Sequence, residues 1–141
     1  MERVTLLCQG RLKEPYYEDA CREYTKRLSA YCRLEIIELP EKGELAPRIP
    51  KGAYVIALCV EGRKIDSPGL AARLEALALA GESRLCFLIG GSDGLTEADK
   101  RLAAWRLSMS DMTFPHHLAR VMLLEQIYRA FTITAGAKYH K

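Results

Sequence analysis

The stretch Leu85-Cys86-Phe87-Leu88-Ile89-Gly90-Gly91-Ser92-Asp93-Gly94-Leu95-Thr96-Glu97-Ala98-Asp99 decides the fold. Its first five residues are apolar without alternation, as a strand buried on both faces of a sheet requires. The glycine run breaks the strand. Thr96, followed three residues later by Asp99, has capping-box spacing and predicts a helix running on toward Trp105. Further strand-like runs lie at 4–8, 34–39, 54–60 and, shorter, 107–112. Residues 15–32 change to helical period, with Tyr17, Ala20, Cys21, Tyr24, Leu28 and Tyr31 on one face, which makes the tyrosines core-facing. Ser67 followed by Pro68 reads as an N-cap and first helical residue of a helix that Gly81 ends, and a last helix spans 118–134. Residues 41–52, with two prolines and two glycines, form a loop. Strands alternating with helices at this spacing predict an α/β fold: one domain over 1–141, with a mostly parallel sheet flanked by helices.

The last helix is apolar nearly all round, through Leu118, Val121, Met122, Leu123, Leu124, Ile127, Tyr128, Phe131 and Ile133. Such a helix is buried all round. One sheet covers one side, and a second copy of the chain is expected against the rest. Glu125, Arg129 and Thr132 form a narrow polar stripe within it, either a structural pair at that interface or part of a site.

Composition narrows the function classes. The chain has 141 residues, 49% hydrophobic and 28% charged, with no apolar run of membrane-spanning length. The first apolar run is too short for a signal-peptide core, so a cytoplasmic protein is expected. Five cysteines are an odd number without a Cys-x-x-Cys pair, so structural thiols are expected rather than disulfides or a metal site. A net charge of +3 permits an RNA partner without demanding one.

In open α/β sheets ligands gather at the carboxyl ends of strands. Glu61-Gly62-Arg63, the run 90–94 and the run 110–117 lie there. The double glycine lets backbone approach a ligand, yet it is neither a dinucleotide fingerprint nor a phosphate loop. Met109, Ser110, Asp111, Met112, Thr113 and Phe114 mix apolar side chains with small polar ones, which would suit a purine ring, although the residues alone favour a short edge strand with core methionines. His116 and His117 stand at a helix start, where the dipole disfavours a cation and leaves at least one able to accept a proton.

Together, residues 87–94, 107–116, 120–131 and the terminal Tyr139-His140-Lys141 resemble the ribosomal RNA large subunit methyltransferase H family, and the likeness runs from the first strand to the last residue. These are SPOUT enzymes that methylate N3 of a pseudouridine in the intersubunit stem-loop of 23S ribosomal RNA. The resemblance implies a SPOUT fold with a C-terminal trefoil knot, a homodimer, and S-adenosylmethionine as cofactor, with no metal. It implies a cofactor pocket of Leu58, Gly90 and Met109 through Phe114. The short 41–52 loop and Arg63-Lys64 depart from relatives and bear on RNA docking. Candidates for the proton acceptor are His116, His140 and Glu125, in no order. Arg120 and Arg129 are candidates to hold RNA phosphate or developing charge, and Tyr139 belongs to a tail unusually rich for a terminus. The assembled ribosome is the expected substrate, since one small domain reads shape better than a long sequence. The competing readings are a ribosome-binding factor without catalysis that keeps the fold, which cofactor binding would separate, and a small-molecule α/β enzyme, for which no nucleophile or phosphate loop is visible.

Overall fold

A computed structural model describes residues 1–141. Five strands form one sheet: β1 (Arg3–Gln9), β2 (Arg33–Leu39), β3 (Tyr54–Lys64), β4 (Arg84–Ile89) and β5 (Trp105–Ser108). Their order is β2-β1-β4-β3-β5, and every pairing is parallel. Helices α1 (Pro15–Leu28), α2 (Ser67–Leu79), α3 (Glu97–Arg101) and α4 (His116–Thr134) connect and follow them.

The continuous apolar runs of β1 and β4 follow from burial on two faces. One face of the sheet, with Leu6, Phe87 and Ile56, packs against Leu28 of α1, Leu74 of α2 and Leu124 of α4. The other, with Leu7, Cys86 and Leu88, is covered by Leu45, Ile49 and Leu95 from the segments after β2 and β4. The buried thiols of Cys8 and Cys86 are pushed up to about 12 by burial, so they behave as core side chains. No three His, Cys, Asp or Glu side chains converge as metal ligands, and no helix is long and apolar enough to cross a membrane.

Several element ends differ from the sequence reading, each for a local reason. The fifth strand covers Trp105–Ser108 rather than 107–112. Beyond it the Ser108 hydroxyl donates to the Ser110 carbonyl (2.9 Å) and the Met112 amide donates to the Ser110 hydroxyl (3.0 Å), turning the chain out of the ladder. β3 continues to Lys64, bulged so that both Leu58 and Arg63 register with Leu107. Gly62 makes this crossing possible, because a Cβ there would stand 2.8 Å from the backbone of Arg106 and Leu107. Asp66, not Ser67, caps α2: its carboxylate accepts from the Gly69 amide at 2.8 Å, while the Ser67 hydroxyl donates to Gln126 at 2.5 Å. The Thr96–Asp99 capping box forms, but α3 ends at Arg101. α1 ends at Leu28 rather than Cys32, and α4 starts at His116.

No residue of α4 from His116 to Ile133 is fully exposed. The helix lies between α1 and α2 on the sheet, so this single chain accounts for much of its apolar circumference. Arg120 corrects an expectation. Its side chain is 1% exposed and donates to Glu38 (2.5 Å) and to the Gly10 carbonyl (3.0 Å), so it holds the chain together and offers nothing to an RNA phosphate. Burial raises the Glu38 carboxyl, but hydrogen bonds from Arg120 and from the Leu12 amide outweigh it and hold the carboxyl below its ordinary 4.5. A lowered folded value means that this stabilisation is full above pH 4.5 and is lost as pH falls through the folded value. Arg120→Met is expected to lower unfolding free energy by roughly 2–4 kcal/mol, discounted from a fully buried pair because Glu38 is partly exposed. Urea denaturation of wild type and variant at neutral and acid pH checks this, and the difference should shrink on the acid side.

Candidate functional site

At the carboxyl ends of β3, β4 and β5 the chain leaves a cavity of about 630 Å³, within the range of pockets that hold drug-sized ligands. Leu58, Gly90, Met109, Ser110, Met112, Thr113 and Phe114 all line it. Gly90 is forced by the turn itself, since a Cβ there would come within 2.5 Å of the Gly94 and Leu95 backbone. The wall is thus a tightly folded main chain on one side and Leu58, Met109 and Phe114 on the other, a slot for a flat ring with a polar end. Asp111 is a correction: it turns out to pair with Lys64 and does not line the cavity. Lys100 of α3 pairs with Glu61, and both line the cavity; Glu61-Gly62-Arg63, read as a loop, lies within β3, and Lys100 did not stand out in the sequence.

His116 closes one side of the cavity at the start of α4. Burial and then the neighbouring His117 hold its imidazole below the ordinary 6.5, so it is a neutral acceptor at neutral pH. His117 does not line the cavity, and its Nδ1 lies 3.3 Å from Glu14. The remaining candidates gather elsewhere. Glu125 takes two hydrogen bonds from Arg129 (3.2 and 2.9 Å) and one from the Tyr139 hydroxyl (2.7 Å), and Arg129 lies 3.0 Å from His140 Nδ1. Burial and the Glu125 contact push the Tyr139 phenol up to about 12, so it keeps its proton and donates. His116 and Glu125 are nine residues apart on α4, about 13.5 Å along the axis, so within one chain the candidates form two groups. Glu125 lines a second cavity of about 400 Å³, and the two cavities share Ser108 and Met109 as a common wall.

Glu41 was not legible in advance. From the segment after β2 it accepts the Ser92 amide (2.6 Å) and hydroxyl (2.9 Å), and it lies against Gly10 and Gly91. It straps the glycine turn to the end of β1, and those hydrogen bonds keep its carboxyl below 4.5. Only folding brings position 41 to position 92, and a glutamate in a loop carries no signal of that.

Residues 2–140 match the family described as "Predicted SPOUT methyltransferase". The chain is similar to the Ribosomal RNA large subunit methyltransferase H of Bifidobacterium adolescentis, with 44% identity over 158 aligned positions covering 99% of each chain. That of Clostridium botulinum is 45% identical, over 98% of this chain and 99% of its own. An alignment of 158 positions against 141 residues means that the Bifidobacterium relative carries residues this chain lacks. Among solved structures, a probable methylase family protein from Haemophilus influenzae shares the fold, with a TM-score of 0.52 at 11% identity over 96% of this chain and 66% of that one.

Glu41→Ala is expected to release the glycine turn. A hydrogen bond to a carboxylate contributes about 1.5–3 kcal/mol, so hydrogen exchange at the Ser92 amide should accelerate roughly tenfold or more. Exchange followed by mass spectrometry or NMR reads it, with unchanged protection in β1 and β4 as the control.

Proposed function

This chain belongs to the SPOUT methyltransferase family, and from that premise we propose that it methylates N3 of a pseudouridine in the intersubunit stem-loop of 23S ribosomal RNA. It is a methyltransferase that acts on ribosomal RNA and uses S-adenosylmethionine. The cavity that joins the turn at Gly90 to Leu58, Met109 and Phe114 carries the reading, because its size and its mixture of apolar wall and free-standing backbone suit this cofactor. The same reading has the enzyme work in the cytoplasm on the assembled ribosome, as a knotted homodimer.

S-adenosylmethionine supplies the methyl group and a neutral thioether as leaving group. What this chain contributes is alignment, exclusion of water and a place for one proton. Leu58, Met109 and Phe114 hold the flat ring by apolar contact, and Gly90 leaves room beside the turn. The ring nitrogen of the target must lose its proton, a step for which a positioned base contributes about 10²–10⁴-fold. His116 is the acceptor this arrangement favours, since it is the one candidate base on the cavity wall and burial keeps it neutral. Glu125, Arg129, Tyr139 and His140 enter through the homodimer: the tail cluster of one subunit is set against the cavity of the other, which reconciles the two separate groups.

The reading is tested by incorporating tritiated methyl from S-adenosylmethionine into ribosomes lacking the modification, with free 23S rRNA alongside. Label on a single pseudouridine, stronger on the ribosome, is expected. Label on another nucleotide would overturn the choice of target, and an absence of cofactor binding would overturn the assignment of the cavity. The pH dependence follows from His116. As pH falls through its lowered folded value the imidazole gains a proton and can no longer accept one. The rate should therefore be flat above 6.5 and decline only below it, and His116→Asn should remove that limb together with most of the turnover.

A further inference from the structure

Aromatic rings run in contact from the cavity wall to open solvent. His116, on the wall, lies 4.0 Å from His117 between ring centroids. Tyr17 meets His117 edge-on at 6.3 Å, and Tyr16 meets Tyr17 at 4.6 Å. Tyr16 is 65% exposed, and no other Tyr, Phe or Trp of the chain is exposed. Tyr17 stands at 63° to it, so it braces the ring without stacking on it. The first turn of α1, with Pro15 at its start, fixes the backbone beneath. A rigid exposed ring at the end of such a row buries little apolar surface for the fold itself.

The loops beside this ring carry unpaired cations. Arg11, Lys13 and Lys42 are exposed on the adjoining loops, and none is part of an ion pair. Two carboxylates of the same rim are tied by hydrogen bonds, Glu14 to His117 and Glu41 to Ser92, while Glu18, Glu44 and Asp93 form no ion pair. An apolar peptide would find no groove at a lone ring among lysines. A nucleotide finds both of its parts matched, a π-face for the base and cations for the phosphate.

We propose that Tyr16 is a stacking platform for a base of the RNA substrate that flanks the methylated nucleotide, with Arg11, Lys13 and Lys42 meeting the neighbouring phosphates. The inference rests on the ribosomal RNA reading above and adds to it how the RNA is held. The row of rings sets the stacked base three ring-to-ring steps (4.0, 6.3 and 4.6 Å) from the cavity wall, so holding it limits where a nearby nucleotide can sit. Stacking is indifferent to base identity, so the platform supplies affinity and placement and leaves target choice to the shape of the particle.

Two readouts test it on the full-length protein. The first is affinity for a fluorescein-labelled single-stranded RNA oligonucleotide, followed by anisotropy. The second is kcat/KM for methyl transfer to ribosomes. Tyr16→Ala should weaken oligonucleotide binding by roughly 5- to 150-fold, the range for loss of one base–aromatic stack. Tyr16→Phe and Tyr16→Trp should bind like wild type, and Kd for S-adenosylmethionine should stay within about twofold throughout. Replacing Lys13 and Lys42 by Ala should lower the salt dependence of binding by roughly 0.7 for each phosphate no longer neutralised. Wild-type affinity in Tyr16→Ala would overturn the proposal, and so would an equal loss in Tyr16→Phe or a parallel loss of cofactor affinity. Oligonucleotide binding through Tyr16 without methyl transfer to ribosomes would sustain the surface and overturn only the choice of RNA target.

Discussion

A buried guanidinium organises the end of the sheet where the candidate site lies. Arg120, on the second turn of α4, reaches the carbonyl of Gly10 after β1 and the carboxylate of Glu38 at the end of β2, which also takes the Leu12 amide. One side chain therefore sets where α4 begins relative to two strand ends and the loop between them. His116 and His117 stand one turn earlier on that helix, and Tyr16 and Tyr17 start the helix that follows the loop. A charge withdrawn from water must be matched almost completely, and this demand leaves the elements it joins little freedom to slide. It thereby constrains where the two histidines and the start of α1 stand.

The cavity shows a division of labour common in parallel sheets. The strands that build it are core elements, and apart from the β3 residues Leu58 to Glu61 most of its lining comes from the turns that follow the strands. Where main chain must lie against main chain, at Gly62 over β5 and at Gly90 within its turn, no side chain fits. Glu41 then ties the turn to a third segment, so the wall of the cavity depends on a contact that is not part of the sheet. Met109 and Ser108 separate this cavity from the one beside Glu125, which places the two groups of candidate residues on opposite sides of a single strand end.

Much of the fold was legible because burial on both faces leaves an unmistakable run of apolar residues, as at 85–89, and because the Thr96–Asp99 box is a local device. The errors fall where hydrogen bonds other than the ladder decide. Ser108 and Ser110 end β5 early through side-chain bonds, and Asp66 displaced Ser67 as cap because its carboxylate reached the Gly69 amide. The residues proposed for the cofactor came from a family resemblance over contiguous segments, and all of them except Asp111 line one cavity. Asp111 and Arg120 were misplaced because a charged residue read alone gives no sign whether its partner is solvent, a ligand or another side chain.

The amino-acid sequence by itself determined the α/β class, the parallel sheet and most of the segments that line the cavity, since periodicity, turn chemistry and caps act over a few residues. Tertiary structure alone decided which charges are spent inside the protein, as with Arg120 on Glu38 and Asp111 on Lys64. It also decided that Glu41 straps the glycine turn and that Tyr16, unlike Tyr17, Tyr24 and Tyr31, is left open to solvent. The physical reason is range. Pairing of charges, burial and exposure depend on what a distant part of the chain brings alongside, and that is set only once the sheet has closed.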